Sequence, residues 1–271
     1  MLKFDGGCMI TSKENQLVKY IKNLSQKKYR EINHEYIVEG IKMVKEALES
    51  EEISKIILSE ELLQATIQND LIFINNIESE EFSSKIEYVS KNIFEYISDT
   101  ISPQGILAIV KEKNLIDTGY SNVIFALDDL QDPGNLGTII RTLDSAGYQD
   151  LLLSKGSADA YNPKVVRSTM GAIFRLRLHS GLDLKEELIK LRQKEYKIVI
   201  TSLETTKHYY DLNFEEKLVI VIGNESKGVS KEIQELADIK IKIPMLGKTE
   251  SLNAAVATSI IAYEGVRRKM M

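Results

Sequence analysis

Three polar segments of the sequence follow apolar runs of strand length, and each contains side chains that can do chemistry. The first, DDLQDPGNLGTIIRTLDSAG, has Asn135 near a predicted helix start and Arg141 further along that helix. A tight glycine turn that opens a helix is a natural anion site, because unpaired amide groups point outward there. Taken alone the pattern is weak, since such turns often serve only packing. GxGxxG is absent, which disfavours dinucleotide binding.

The second and third segments repeat this arrangement. LVIVIGNESKGVS reaches Gly223 and continues into a polar loop, where Glu225 can serve as an acceptor or a base. The alternative is a plain surface turn, since Asn and Gly suit turn geometry. IKIPMLGKTESLNAAVATSIIAYEGVRRK contains an alternating strand that ends at Pro244, a glycine-containing loop, and Ser251 at the predicted N-cap of a helix. Ser251 and Asn253 can both be explained as local caps.

The elements that must position these segments follow residue 122. Continuous Val, Ile and Leu runs alternate with helical patterns there: VIFAL, DLLLS, KIVITS, LVIVIG and IKIKIP. Such runs predict a parallel sheet that is covered on both faces. Helices are predicted from TIIRTLDSAG, DLKEELIKLRQK and SLNAAVATSIIAYEGVRRK. Because ligands bind beyond the carboxyl ends of strands in open α/β sheets, we expect the chemistry in this half.

The first hundred residues contain shorter elements. NQLVKYIKNL and EGIKMVKEALES have helical spacing, whereas KIILS, DLIFI, KIEYVS and ILAIV have strand length. We therefore predict an α/β protein with a first domain at 9–110, a linker at 111–122 and a second domain at 123–271. Met9 begins a stretch that looks like a natural start, so we expect residues 1–8 to be absent from the native protein.

The composition disfavours several classes of protein. Of 271 residues, 43% are hydrophobic and 28% charged, which is typical of globular chains. No apolar run approaches the roughly 20 residues of a membrane helix, and the N-terminus lacks a signal-peptide pattern. Cys8 is the single cysteine, so we predict no intramolecular disulfide and a cytoplasmic location. The three histidines, His34, His179 and His208, have no ligand spacing, and no metal is expected.

The formal net charge of −5 argues mildly against nucleic acid, although a local basic face can still bind phosphates. Between residues 13 and 30, Glu14 is the one acid among the following basic residues: Lys13, Lys19, Lys22, Lys27, Lys28 and Arg30. A phosphate-binding surface and a merely solvated helix face are equally good interpretations of this run.

The three segments, in this order and spacing, resemble the signature motifs of the SpoU/TrmH family of RNA ribose 2′-O-methyltransferases, in the SPOUT superfamily. The resemblance covers residues 123–271 almost throughout, with NPKVVRSTMGAIFRL as the stretch between the first two motifs. YIVEGIKMVKEAL looks like part of the substrate-binding domain of ribosomal RNA members, which is similar to small ribosomal proteins. The resemblance implies a trefoil knot near the C-terminus, a homodimer formed by the knotted domains, and S-adenosylmethionine as cofactor. Periodicity alone predicts only a Rossmann-like sheet.

Carried over by position, the resemblance also implies roles for residues. Contacts to S-adenosylmethionine, largely through backbone groups, are expected from Gly223, Ile243 and Leu252, with Met245, Gly247 and Asn253 nearby. The expected catalytic set is Arg141, Asn135, Glu225, Ser251 and Asn253. Because a guanidinium is a poor base, we expect Arg141 to lower the pKa of the ribose hydroxyl or to bind the neighbouring phosphate bidentately. Glu225 is expected to orient Arg141 or to accept the proton. A purely structural ion pair is the alternative for Arg141.

These expectations make the chain an RNA 2′-O-methyltransferase, with 23S ribosomal RNA favoured as substrate. The alternatives are a transfer RNA 2′-O-methyltransferase and a non-catalytic RNA-binding protein that kept the fold. A nucleotide-dependent oxidoreductase is disfavoured by the missing glycine fingerprint and ribose-binding acid. Tyr20, Tyr29 and Tyr36 are candidates for contact with RNA bases, although core packing is favoured for Tyr20.

Overall fold

The computed structural model describes residues 9–64, 77, 82–115 and 119–271, which form two compact units. The first unit holds the described residues up to Asn114 together with the segment Tyr161–Arg167. The second unit holds Leu115–Ala160 and Ser168–Met271. Within the described ranges, no helix is long and apolar enough to cross a membrane.

The described residues of the first unit form a four-stranded mixed sheet. Its strands are β1 (Glu35–Glu39), β2 (Ile53–Ser59), β3 (Ile86–Val89) and β4 (Ile106–Lys111), in the order β1-β4-β2-β3. Strand β4 runs antiparallel to β1 and β2, and β2 runs parallel to β3. The helices are α1 (Gln16–Leu24), α2 (Lys27–Asn33), α3 (Ile41–Ser50), α4 (Glu60–Gln64) and α5 (Lys91–Ile97).

Helix α1 forms where its apolar stripe was predicted. Asn15 caps it by accepting a hydrogen bond from the backbone N–H of Leu17 at 2.8 Å. Val18, Ile21 and Leu24 are buried against the sheet, and Tyr20 packs at the margin of the same core, as favoured above. The predictions of α3, β2, β3 and β4 are also confirmed, whereas β1, α2 and α5 were not predicted. The predicted strand DLIFI lies outside the described residues.

The second unit is built on a six-stranded sheet. Its strands are β5 (Val123–Leu127), β6 (Asp150–Ser154), β7 (Arg177–Leu182), β8 (Lys197–Thr201), β9 (Leu218–Ile222) and β10 (Ile239–Ile241). Their order is β10-β8-β9-β5-β6-β7, and every neighbouring pair is parallel. The remaining helices are α6 (Pro133–Ser145), α7 (Pro163–Ser168, whose first five residues belong to the first unit), α8 (Leu184–Gln193), α9 (Lys231–Gln234) and α10 (Ala254–Lys269).

This sheet confirms the predicted parallel arrangement. Every residue of β5, β6 and β9 is buried, as expected of strands that are covered on both faces. Two differences concern the edges. Strand β7 was not predicted, because it lies at the sheet edge and carries exposed polar residues. Strand β10 ends at Ile241 rather than at Pro244.

The strand order determines which loops meet. Strand β9 lies beside β5, in register from Val123 opposite Leu218 to Leu127 opposite Ile222. The chain therefore leaves both strands at the same edge of the sheet, and the first two polar segments begin there. Helices α6 and α10 also pack together, with the hydroxyl oxygens of Thr142 and Ser259 3.3 Å apart. This packing brings the third segment to the first.

Candidate active site

The first polar segment is a loop that turns directly into helix α6. Asp132 is the N-cap, and its carboxylate accepts a 2.7 Å hydrogen bond from the backbone N–H of Asn135. Pro133 occupies the first helical position, where a missing N–H costs nothing. The predicted position of Asn135 near the helix start is therefore confirmed. Its side-chain Nδ2 donates to Oε1 of Glu225 at 3.0 Å.

The second segment is a tight loop that only glycine permits at its base. A Cβ on Gly223 would lie 2.1 Å from the carbonyl carbon of Gly228 and 2.2 Å from the nitrogen of Val229. Asn224 shapes the rest, since its Oδ1 accepts from the backbone N–H groups of Ser226 and Lys227 at 2.9 and 3.1 Å. For Asn224 the turn-forming interpretation is thus correct.

Glu225 extends from this loop toward the first segment. Besides Asn135, it accepts longer hydrogen bonds of 3.4 Å from the backbone N–H groups of Gln131 and Asp132. Partial burial favours the neutral acid, but the hydrogen bonds from Asn135 and from backbone N–H groups outweigh it and lower the pKa of Glu225. The side chain is therefore a carboxylate at neutral pH, and each of its oxygens has a partner.

The third segment supplies the N-cap of helix α10. That cap is Asn253, whose Oδ1 accepts from the N–H groups of Ala255 at 2.9 Å and Val256 at 3.3 Å. The prediction of Ser251 as the N-cap was wrong, because the helix begins three residues later, at Ala254. Ser251 is exposed in the loop. The other end of the Asn253 amide, Nδ2, donates to Oδ1 of Asn135 at 2.9 Å.

These contacts join the three segments in one directional network. A carboxylate only accepts hydrogen bonds, so Asn135 must present its NH₂ group to Glu225 and its oxygen to Asn253. Asn253 must then present its own NH₂ group to Asn135, which leaves its oxygen for the N–H groups of α10. Each amide orientation follows from its neighbour. The sequence-predicted residues Asn135, Glu225 and Asn253 therefore meet at one edge of the sheet.

Arg141 lies outside this network. It is exposed on α6, about 9 Å further along the helix axis than Asn135 at 1.5 Å per residue. Over the ranges that the structure describes, its guanidinium forms neither a hydrogen bond nor an ion pair, so nothing supports the structural ion-pair alternative. The expected contact between Arg141 and Glu225 is not among the hydrogen bonds of Glu225 in the described chain.

The residues expected to hold the cofactor lie mostly in the loop between β10 and α10. Ile243, Met245 and Leu252 are partly exposed apolar side chains. Gly247 is exposed, and a Cβ added there would have no atom of the described residues within 4 Å beyond its chain neighbours. This loop offers open backbone at Gly247 and apolar surface next to Asn253 of the amide network, whereas Gly223 at the end of β9 is buried and closely packed.

Comparison with known proteins identifies the family to which this chain belongs. Residues 122–263 match the model of the SpoU rRNA Methylase family, and residues 15–108 match the MRM3-like substrate binding domain. The chain belongs to the SpoU rRNA methylase family. It is 34% identical over 256 residues to a 23S rRNA (guanosine(2553)-2′-O)-methyltransferase of Bacillus subtilis (strain 168), covering 94% of this chain and 97% of that protein.

Two solved structures are similar over nearly the whole chain. An AdoMet-bound rRNA methyltransferase from Sinorhizobium meliloti has a TM-score of 0.81 at 28% identity and covers 97% of this chain and 98% of its own. An RNA 2′-O ribose methyltransferase has a TM-score of 0.75 at 25% identity and covers 97% and 100%. The methylase is thus an RNA ribose 2′-O-methyltransferase that uses S-adenosylmethionine, as the resemblance implied.

The sequence analysis missed several residues that hold the loops of the methylase site in place. Asp128 is buried, and its carboxylate accepts from the N–H of Ser230 at 2.7 Å. Asp129 has a left-handed backbone with φ of 56°, and its carbonyl accepts from Nδ2 of Asn224 at 2.8 Å. Ser154, at the end of β6, donates to the Asp129 carboxylate at 2.6 Å. The one available signal was the pair of aspartates directly after an apolar strand.

The basic residues of the first unit divide into two groups. Arg30 is 2% exposed, and its Nη1 donates to the carbonyl of Leu24 at 2.5 Å, so burial removes its guanidinium from the surface. Five lysines are at least partly exposed: Lys13, Lys19, Lys22, Lys27 and Lys28. Of the tyrosine candidates, Tyr36 is also buried at 2% exposure, against the ring of Tyr161. Tyr29 is partly exposed, and the hydroxyl of Tyr20 donates to Glu35.

The histidines lie apart. His34 is near Glu112, His179 contacts Asp150, and His208 caps the short turn Tyr209–Asp211. Across the described ranges, no group of three His, Cys, Asp or Glu side chains is arranged to hold a metal ion.

Proposed function

We propose that this methylase modifies a ribose of 23S ribosomal RNA, with the first unit binding the RNA and the second transferring the methyl group. The B. subtilis 23S rRNA methyltransferase supports this substrate, because the similarity extends over both units rather than over the catalytic half alone. The match of residues 15–108 to a substrate-binding domain supports the role of the first unit. The predicted boundaries, 9–110, 111–122 and 123–271, remain part of this proposal.

The cofactor seat in this proposal is the edge formed by Gly223 and the loop between β10 and α10. Ile243, Met245 and Leu252 offer partly exposed apolar surface to a flat base, and Gly247 leaves the backbone accessible. These features fit a nucleoside held largely by main-chain groups. Bound S-adenosylmethionine supplies a methyl group that its sulfonium has already activated. The protein therefore needs no nucleophile of its own, and alignment of the ribose oxygen is the main source of rate.

We assign Arg141 to contact with the ribose that is methylated. A guanidinium remains protonated at any physiological pH, so it cannot act as the base. It can stabilise negative charge that develops on the 2′-oxygen, or bind the adjacent phosphate through two hydrogen bonds. The observation that carries this assignment is its exposure without a protein partner in the described chain. An exposed cation on the helix that carries Asn135 is available to an anionic substrate.

Glu225, Asn135 and Asn253 act in this proposal by positioning. The lowered pKa of Glu225 makes its carboxylate a weak base, and its hydrogen bonds hold the first loop against the second. Asn135 in turn accepts a hydrogen bond from Asn253 and so positions the start of α10, next to the cofactor loop. We assign Ser251, exposed in that loop, to contact with substrate or cofactor. The proton of the hydroxyl then leaves to solvent or to substrate rather than to Glu225.

The assignment of Arg141 is tested by Arg141→Ala and Arg141→Lys in the full chain. Methyl transfer to an rRNA transcript is expected to fall by at least about 100-fold in both, because lysine keeps the charge but not the two-pronged donor geometry. Calorimetric binding of S-adenosylmethionine is expected to stay within about twofold of the parent. Lys185→Ala, which removes a charge on α8 that pairs with Glu232, serves as the matched control. Unchanged turnover in Arg141→Ala would remove this residue from the mechanism.

The RNA itself is tested in cells. Ribose methylation is mapped across ribosomal and transfer RNA from a deletion strain and its parent. Loss of one 23S site supports the proposal, and loss of a transfer RNA site would favour the alternative substrate instead.

A homodimer, a trefoil knot near the C-terminus and a cytoplasmic location complete the proposal. The family resemblance supports all three, and two exposed apolar side chains of α10 support the first. Val256 is 47% exposed and Tyr263 48%, so both are available to a second copy. Light scattering is expected to give twice the chain mass of 30.7 kDa, and a single-chain mass would contradict the dimer. An experimental trace of residues 195–271 tests the knot.

A further inference from the structure

We propose that Tyr96, with the ammonium groups of Lys13 and Lys22, forms a site on the first unit for one unpaired RNA nucleotide. The nucleobase stacks on the Tyr96 ring, and the two lysines, whose Nζ atoms lie over that ring without RNA, move aside to bind the phosphates on either side of the base. This inference rests on the proposed function, because it assumes that the first unit holds the RNA substrate. It adds an aromatic residue that the sequence did not single out, and it specifies single-stranded RNA.

Three separate segments build this site. Nζ of Lys13, which precedes α1, lies 4.5 Å from the centroid of the Tyr96 ring. Nζ of Lys22, in the last turn of α1, lies 5.1 Å from the same centroid. Helix α5 buries Ile93, Phe94 and Ile97, while Tyr96 remains 39% exposed beside that stripe. The ring is therefore held by a packed helix and presented outward.

The charges of the site are uncompensated. Several lysines of the first unit have acidic partners, for example Lys27 with Glu31 at 3.7 Å and Lys91 with Glu61 at 2.6 Å, whereas Lys28, Lys42 and Lys45 have none among the described residues. Neither Lys13 nor Lys22 forms an ion pair in the part of the chain that the structure describes. Two like charges beside one ring repel each other, and an exposed cation–π contact returns only about 0.5–1 kcal/mol. An arriving anion relieves this repulsion.

The combination of an aromatic face and flanking cations fits a nucleotide. Proteins that bind single-stranded nucleic acid use aromatic rings for the bases and positive groups for the backbone. In duplex RNA the faces of the bases are already stacked, so a ring such as that of Tyr96 can accept only an unpaired base. An acidic peptide would use the lysines but gain little from the ring. The structure therefore favours RNA with at least one splayed nucleotide.

The site is tested with the full chain and two fluorescent probes, a single-stranded oligouridine of twelve nucleotides and a blunt RNA duplex. Tyr96→Ala is expected to weaken binding of the single strand by about 5- to 150-fold, the effect of one stacked base. Tyr96→Phe keeps the ring and is expected to bind within about twofold of the parent. Both variants are expected to bind the duplex like the parent.

The lysines are tested by the salt dependence of single-strand binding. Combined Lys13→Ala and Lys22→Ala substitutions are expected to reduce the slope of log affinity against log salt by about 1.4, or 0.7 for each phosphate contact. Lys91→Ala is the matched control, since its ion pair with Glu61 already compensates its charge, and it is expected to change the slope less.

Several outcomes overturn the inference. Equal binding of the single strand by Tyr96→Ala and the parent would do so, as would an equal loss for single strand and duplex. Competition by polyglutamate that depends on Tyr96 would indicate a peptide site instead. Unfolding by urea shows whether Tyr96→Ala is folded. If it is not, Tyr96→Leu, which keeps an apolar side chain on α5 but not the aromatic ring, replaces it with the same expected loss. If the parent binds neither probe and methylates no RNA, the proposed function fails; if it does both and Tyr96 is indifferent, only this inference fails.

Discussion

Asn253 has two structural roles, as the N-cap of α10 and as a hydrogen-bond donor to Asn135, and different substitutions can separate them. Its Oδ1 caps helix α10 by accepting from the N–H groups of Ala255 and Val256, and its Nδ2 donates to Asn135. Asn253→Asp keeps a capping oxygen, because aspartate and asparagine cap helices about equally well. It removes the NH₂ group, however, and with it the hydrogen bond to Asn135. Asn253→Ala removes both functions.

The magnitudes follow from the two contacts. Asn253→Ala loses the N-cap, worth about 1 kcal/mol, together with the hydrogen bond to Asn135, worth about 0.5–1.5 kcal/mol. Both losses lower its free energy of unfolding. Asn253→Asp loses only the hydrogen bond to Asn135. Because a negative charge is also favourable at a helix N-terminus, this variant is expected to remain about 1 kcal/mol more stable than Asn253→Ala. Asn135 cannot repair the network, because turning its amide toward the new carboxylate points its oxygen at Glu225. A lost hydrogen bond of about 0.5–1.5 kcal/mol corresponds to about a 2- to 12-fold loss of function.

Two assays distinguish the capping role of Asn253 from its role in the amide network. Urea unfolding followed by circular dichroism gives the stability of each variant, and transfer of a tritiated methyl group to an rRNA transcript gives its activity. We expect both variants to lose activity and Asn253→Ala to lose about 1 kcal/mol more stability than Asn253→Asp. Full activity in Asn253→Asp would refute the idea that the amide network positions the site. A stability loss in Asn253→Asp equal to that in Asn253→Ala would refute the capping argument.

Two further predictions concern the loops and the sheet. Gly223→Ala is expected to destabilise the fold by about 1–3 kcal/mol, because its new Cβ would meet the backbone of Gly228. The Cβ of Gly247→Ala would have no described atom within 4 Å beyond its chain neighbours, so this variant is expected to unfold like the parent. Urea unfolding of the two variants checks this, and equal stability would contradict it. Burial opposes ionisation of Asp150, but hydrogen bonds from His179 and Arg177 hold the pKa of this carboxyl well below its usual range. The ionised carboxylate therefore stabilises the fold at neutral pH. This stabilisation is lost as the pH falls below about 4. Asp150→Asn is therefore expected to cost about 3–5 kcal/mol at pH 7 and clearly less at pH 3, and a loss of the same size at both pH values would contradict this reasoning.

The sequence predicted the framework of the second unit because its strands are buried on both faces. Runs such as VIFAL and LVIVI contain no polar residue that would blur the pattern, and their burial is complete. The edge strand β7 escaped prediction for the opposite reason, since RLHSGL mixes exposed polar residues with apolar ones. Helices α2 and α5 have seven residues each, too few for a reliable helical period.

The site was predictable only where spacing carried information. Three motifs in order pointed to Asn135, Glu225 and Asn253, and the structure joins these three side chains. The partner of Glu225 was not predictable, because contacts between segments some 90 residues apart leave no local signal. The left-handed backbone of Asp129 likewise has no pattern of its own. Arg30 looked like its basic neighbours, although its guanidinium is buried on the last carbonyl of α1.

The first unit is built from two separate stretches of the chain, and this has a consequence for its folding during translation. Tyr161–Arg167 belongs to this unit although it is separated from Asn114 by forty-six residues of the second, and the Tyr161 ring lies 4.6 Å from that of Tyr36. Domains generally fold in order as they leave the ribosome. Here the earlier unit cannot be completed until translation has passed Arg167, by which time β5 and β6 already exist as nascent chain. A polypeptide released at residue 114 would lack part of its own unit.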